Sequence, residues 1–100
     1  LHPDIINPEP SEIIGGGKGA SPMAYVRDSI KVIKEIDPNI MVEQAAGITC
    51  GPEVYDFIMA GSEAEGAASG IMNAADPIAM IDEMIAATRR AADDLKKQAG

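Results

Sequence analysis

Three short segments of this 100-residue chain carry residue types that could do chemistry. The first runs Glu9-Pro10-Ser11-Glu12-Ile13-Ile14-Gly15-Gly16-Gly17-Lys18-Gly19. A carboxylate held between prolines at the head of such a loop can act as a general base if closure excludes water. The glycines let backbone N–H groups come close to a ligand, or let the loop move between two conformations. The same residues also read as solvated charges on a flexible connector, and Gly-Gly-Gly-Lys lacks the spacing of a nucleotide-binding P-loop. The second and third segments, Ala46-Gly47-Ile48-Thr49 and Ala68-Ser69-Gly70-Ile71, are small-residue turns. Small side chains expose backbone N–H groups, which suit an oxyanion or a phosphate. Any tight strand-to-helix turn also favours small residues, so the weight lies in finding three such turns together.

The rest of the chain offers little to catalysis and excludes several functions. His2 is the only histidine and Cys50 the only cysteine, so no intrachain disulfide forms and a reducing cytoplasm is expected. No His, Cys and carboxylate set has metal-ligand spacing, and neither a metal nor another cofactor is expected. With aromatics at 3% and a net charge of −8, a stacking or phosphate-backbone nucleic-acid surface is not expected. That charge leaves room for a small anion, which backbone dipoles can hold locally. No apolar run approaches the roughly 20 residues of a membrane span, and Leu-His-Pro-Asp is no signal peptide. A start at Leu1, leading almost at once into a strand, reads as a piece of something longer.

Three strand-then-helix units position the segments. Asp4-Ile5-Ile6 is a short β-branched run stopped by Pro8 and Pro10. Ser21-Pro22 reads as a helix start, and Met23, Val26, Ile30 and Ile33 form one apolar face before Asp37-Pro38-Asn39 ends it. Ile40-Met41-Val42 is the second strand. Its helix begins near Gly51-Pro52, carries Val54, Phe57 and Ile58 on one side, and stops at Gly61. The third strand must lie within Ala64-Glu65-Gly66-Ala67-Ala68, where a charge and small residues replace the expected valines. Asp76-Pro77 starts the last helix, with Ile78, Ile81, Met84, Ile85 and Thr88 along one face and Lys96 and Lys97 at the negative end of its dipole. Such repeats imply a parallel α/β sheet covered by helices. Periodicity does not choose between an open doubly wound sheet and an arc of a barrel. In either, the functional loops follow the strands, which places Glu9 to Gly19, Ala45 to Cys50 and Ser69 to Asn73 on one rim.

The loop Glu9-Pro-Ser-Glu-Ile-Ile-Gly-Gly-Gly resembles the sixth-strand loop of archaeal-like triosephosphate isomerases, Glu-Pro-Pro-Glu-Leu-Ile-Gly-Thr-Gly. Ala45-Ala-Gly-Ile-Thr-Cys-Gly is similar to the seventh loop of that branch, and Ala68-Ser-Gly-Ile with Asp76-Pro77 is similar to the eighth loop and last helix start. The likeness runs from Asp4 to about Thr88. It implies that residues 1–100 form the C-terminal part of a (β/α)8 TIM barrel, strands six to eight with their helices. It implies the interconversion of glyceraldehyde 3-phosphate and dihydroxyacetone phosphate through an enediolate. Glu9 matches the catalytic base, Ile14 and Gly15 the closing lid that meets the substrate phosphate, Gly47 a substrate contact, and Ala68, Ser69 and Gly70 the phosphate contacts. It implies a phosphorylated sugar as the small-molecule partner and a homo-oligomer at full length. The family's lysine and electrophilic histidine belong to its first half, so negligible turnover is expected of this chain alone.

The chain also departs from the pattern. Ala45 stands where the branch has Gly, Glu43 and Gln44 replace apolar or small residues, and Ala64-Glu65-Gly66-Ala67 stands where the eighth strand reads Gly-Val-Leu-Leu. Gly16 and Lys18 differ from the family's lid. A paralogous isomerase of tetrulose phosphates, and a non-catalytic phosphate-binding remnant, therefore stay open beside the triose phosphate reading.

Overall fold

A computed structural model describes residues 2–8, 22–45 and 47–99. The elements run β1 (Ile5–Ile6), α1 (Pro22–Ile36), β2 (Met41–Gln44), α2 (Gly51–Met59), β3 (Ala64–Glu65), α3 (Ser69–Met72) and α4 (Pro77–Ala99). β1 pairs with β2 and β2 with β3, both parallel, in the order β1-β2-β3. This sequential order is consistent with an arc of the barrel type, in which right-handed crossovers taken in sequence lay every helix on the same face.

Register decides which side chains enter the core. Val42 and Gln44 point toward the helices and are buried, with Gln44 only 2% exposed. The Gln44 amide is satisfied there, its Nε2 donating to Ser29 Oγ on α1 at 3.0 Å. Ile5 and Met41, paired across β1 and β2, lie on the opposite face and remain exposed. Beneath the helices, Val26, Ile48, Val54, Phe57, Met84 and Ala87 form one apolar cluster, and Ile33, Ile40 and Val42 form a second. Ile30 packs against both. Lys34 ties α1 to the sheet: its Nζ donates to the Ile40 carbonyl at 2.7 Å and meets Glu63 Oε1 at 2.6 Å. The same contact holds the Glu63 carboxyl below its ordinary pKa.

Three expectations need correction. The second strand extends two residues beyond Val42, because Glu63 N–H and Gly66 N–H bond the carbonyls of Val42 and Gln44 and so extend the ladder. On α4, Ile78 and Ile85 were expected to face the core and are 73% and 63% exposed. Of the expected face Met84 alone is buried, and it forms a stripe with Ala87 and Ala91 at helical spacings of three and four. The stripe is rotated because α4 lies against α2, and alanines permit that close approach. Tyr55 on α2 fastens the pair by donating its hydroxyl to Asp94 Oδ2 at 2.6 Å, with Arg90 stacked 5.3 Å from the ring centre. Ser69–Met72, expected to be loop, is a single helical turn.

β3 carries the one carboxyl that the architecture leaves unmatched among the described residues. Both carboxyl oxygens of Glu65 are buried without a hydrogen-bond partner. Its register partner is Gln44, so it too faces the helix layer. Burial, with a smaller contribution from the Glu43 charge, pushes its pKa up to about 8; the nearby Ser62 hydroxyl, which donates to the Ala64 carbonyl and not to Glu65, offsets this only in part.

Candidate functional site

Parallel pairing puts the C-terminal ends of all three strands at one end of the sheet, so the loops that follow leave from a common rim. The loop after β2 reverses at Gly47, whose φ of +79° is the left-handed conformation that glycine adopts without strain. Ile48 then drops into the core, 3% exposed, and anchors the turn. Glu53, in the first turn of α2, fixes the rest. Its Oε1 accepts from the Thr49 N–H at 2.7 Å, from Thr49 Oγ1 at 2.6 Å and from Cys50 Sγ at 3.6 Å. From α4, Glu83 accepts from the Gly51 N–H at 2.7 Å. Carboxylates of the chain itself thus satisfy the start of α2.

The loop after β3 meets this turn backbone to backbone. A Cβ on Gly70 would stand 2.6 Å from the Thr49 Cα and 2.7 Å from the Ile48 carbonyl oxygen, closer than any side chain tolerates. Glycine is required there by the approach of the two loops. Thr49, Ser69, Gly70, Asn73, Ala74 and Met80 line an open cleft of about 300 Å³ at this junction. The Ala68 carbonyl accepts from Ile71 and Met72 and closes the turn of α3. The N–H groups of Ser69 and Gly70 make no hydrogen bond among the described residues. This differs from the start of α2, where the Thr49 and Gly51 N–H groups are already taken.

Of the residues expected to form a site, Ser69 and Gly70 line the cleft, Ala68 is the exposed residue just before α3, and Gly47 lies two residues before Thr49. Glu9, Ile14 and Gly15 lie outside the described residues, as does Ser21, expected as a helix cap. Asn7 and Pro8, which follow β1, belong to the same end of the sheet by its parallel pairing. Thr49 and Asn73 also line the cleft; both lie in the loops expected on the rim, but neither was named as a site residue, since neither type is distinctive in a turn. Nor did sequence reasoning assign any part to Glu53 or Glu83, although an acidic residue in a first helical turn is a recognisable signal. His2 sits at the opposite end of the story, 3.4 Å from Asp37 Oδ2 on the exposed loop after α1. No group of three His, Cys, Asp or Glu side chains that could hold a metal ion occurs among the described residues.

No family model matches the chain. Individual relatives do. A triosephosphate isomerase of Methanosarcina mazei is 34% identical over 87 residues, covering 85% of this chain and 39% of that protein. The enzyme of that name from Sulfurisphaera tokodaii is 32% identical over 99 residues, 96% of this chain and 42% of its own length. That of Saccharolobus solfataricus is 34% identical over 93 residues, 91% of this chain and 40% of its own. The chain thus spans about two-fifths of the length of the curated relatives it matches. Over most of its residues, and with three parallel β/α units in sequential order, the chain is similar to about two-fifths of the length of archaeal triosephosphate isomerases.

Proposed function

We propose that these 100 residues supply strands six to eight of an isomerase barrel that interconverts glyceraldehyde 3-phosphate and dihydroxyacetone phosphate. Glu9 is the base that moves a proton between adjacent carbons of the substrate. Such a proton is weakly acidic, so its removal requires a carboxylate sheltered from water and donors that stabilise the enediolate. Ile14 and Gly15 belong to the lid over the substrate phosphate, Gly47 contacts the substrate, and Ala68, Ser69 and Gly70 hold the phosphate through their backbone. Gripping a group remote from the reacting carbons supplies binding energy that orients them. A cytoplasmic homo-oligomer, with a lysine and a histidine from other units of the barrel, completes the reading.

The observation that carries this reading is the contact of Gly70 with Ile48 and Thr49, which joins two loops around N–H donors that make no hydrogen bond among the described residues. Titrating the chain with glycerol 3-phosphate tests it through backbone amide chemical shifts. The largest shifts are expected at Gly47, Ser69 and Gly70. Gly70→Ala, which forces the loops apart, is expected to weaken binding by about tenfold, a cost of roughly 1.4 kcal/mol and within the range for overpacking. Small shifts spread evenly over the surface, unchanged by Gly70→Ala, would remove the phosphate cradle from this chain.

A further inference from the structure

A second cavity lies on the helix side of the sheet, away from the rim. It encloses about 190 Å³ between β3, α2 and α4. Ile48, Val54, Ala67, Ile71, Ile81, Met84 and Ile85 supply its apolar walls, and Glu65 and Thr88 are the polar side chains among its lining. Thr88 is already engaged, since its Oγ1 donates to the Met84 carbonyl at 2.9 Å. Glu65 is not engaged: neither carboxyl oxygen has a hydrogen-bond partner, and neither is open to water. An apolar chamber ending in one unmatched carboxyl is complementary to a positive group on a short aliphatic stem. The stem lies against the isoleucines and the head meets the carboxylate. We infer that this cavity is a binding site for an ammonium or guanidinium group carried on a short apolar chain.

The surroundings favour a cation over a neutral donor. β2 contributes a second negative charge, Glu43, close enough to act on Glu65. From the stretch before β3, Ser62 turns its hydroxyl to the Ala64 carbonyl. The side chains that α2, α3 and α4 present to the cavity, Val54, Ile71, Ile81, Met84, Ile85 and Thr88, do not titrate. No positive charge lines the cavity among the described residues, so the lining itself supplies no cation to Glu65. In the empty site burial keeps Glu65 protonated until about pH 8. A bound cation favours the carboxylate, and binding therefore releases a proton.

That linkage gives the test. n-Butylammonium is titrated into the chain between pH 6 and pH 8, following the methyl resonances of Ile81, Ile85 and Ala67. Its affinity is expected to rise by about tenfold per pH unit over that range. Glu65→Gln, which keeps the shape and removes the titration, is expected to abolish the rise. n-Butanol, of the same length and without charge, separates a cation site from a greasy hole. If it binds as well as n-butylammonium, or if the Glu65→Gln variant keeps the full pH dependence, the proposal is overturned. Failure of n-butylammonium to shift any of those methyls overturns it as well. The source of the cation is read from a second probe, Nα-acetyl-lysine amide. Binding of both probes indicates the side chain of a neighbouring polypeptide segment, and binding of n-butylammonium alone indicates a free amine.

Discussion

Glu9→Gln, made in the full barrel that we propose, is expected to lower kcat/KM for triose phosphate by about 10³-fold, nearly all of it in kcat. Glutamine keeps the length and shape of the side chain and loses the ability to take a proton. On the proposed reading the substrate phosphate is held by other loops, those that carry Gly47 and Ser69, so KM is expected to move little. Glu9→Asp preserves the acid and withdraws it by one carbon. A misplacement of about 1 Å still costs roughly 10²-fold, because proton transfer depends steeply on the distance to the carbon. A steady-state isomerase assay reads both variants. If Glu9→Gln retains a tenth or more of the wild-type kcat, the base is another residue.

The second large effect concerns stability. Glu65→Leu is expected to stabilise the fold by about 2 kcal/mol at pH 8 and by little at pH 4.5. In the folded protein the Glu65 carboxyl keeps its proton up to about pH 8, whereas the unfolded chain releases it near 4.5. The neutral form that folding prefers is therefore fully present in both states only below 4.5. As the pH rises from 4.5 to 8, the unfolded state gains from ionising and the folded state does not, so stability falls. Above 8 both states are ionised and the penalty levels off. The full shift would correspond to more than 4 kcal/mol, and partial access of solvent to the side chain reduces it to the smaller figure. Urea unfolding of both proteins across this pH range checks the sign. A difference between variant and wild type that stays flat from pH 4.5 to 8 would show that Glu65 titrates normally in the fold.

Much of the architecture was legible because α/β units announce themselves locally. Pro22, Pro52 and Pro77 each stand at a helix start, and Val26, Ile33, Val54 and Phe57 repeat at helical spacing and are buried. The third strand was located despite its composition, since the only room for it lay between the stop at Gly61 and the start at Pro77. The rotation of α4 was not legible. Isoleucines outrank alanines in any hydropathy pattern, whereas the distance between two helices is set by the smallest residues that can face each other. Ala87 and Ala91 are wholly buried for that reason. Of the site, the two glycine turns were found as motifs, but the need for glycine at position 70 arises from a backbone 21 residues earlier and has no local signature. Glu65 was visible only as an anomaly in a strand, and the cavity around it forms from residues on four separate elements.

The single oxygen of Glu53 that receives Thr49 twice and Cys50 once has a consequence for recognition. A turn that is clamped before any ligand arrives has little conformational freedom left to surrender on association. Its amides should exchange with deuterium slowly whether or not an anion is present. The adjustment that accompanies binding would then fall on the other loops of the rim, and this turn would serve as the fixed wall against which they close.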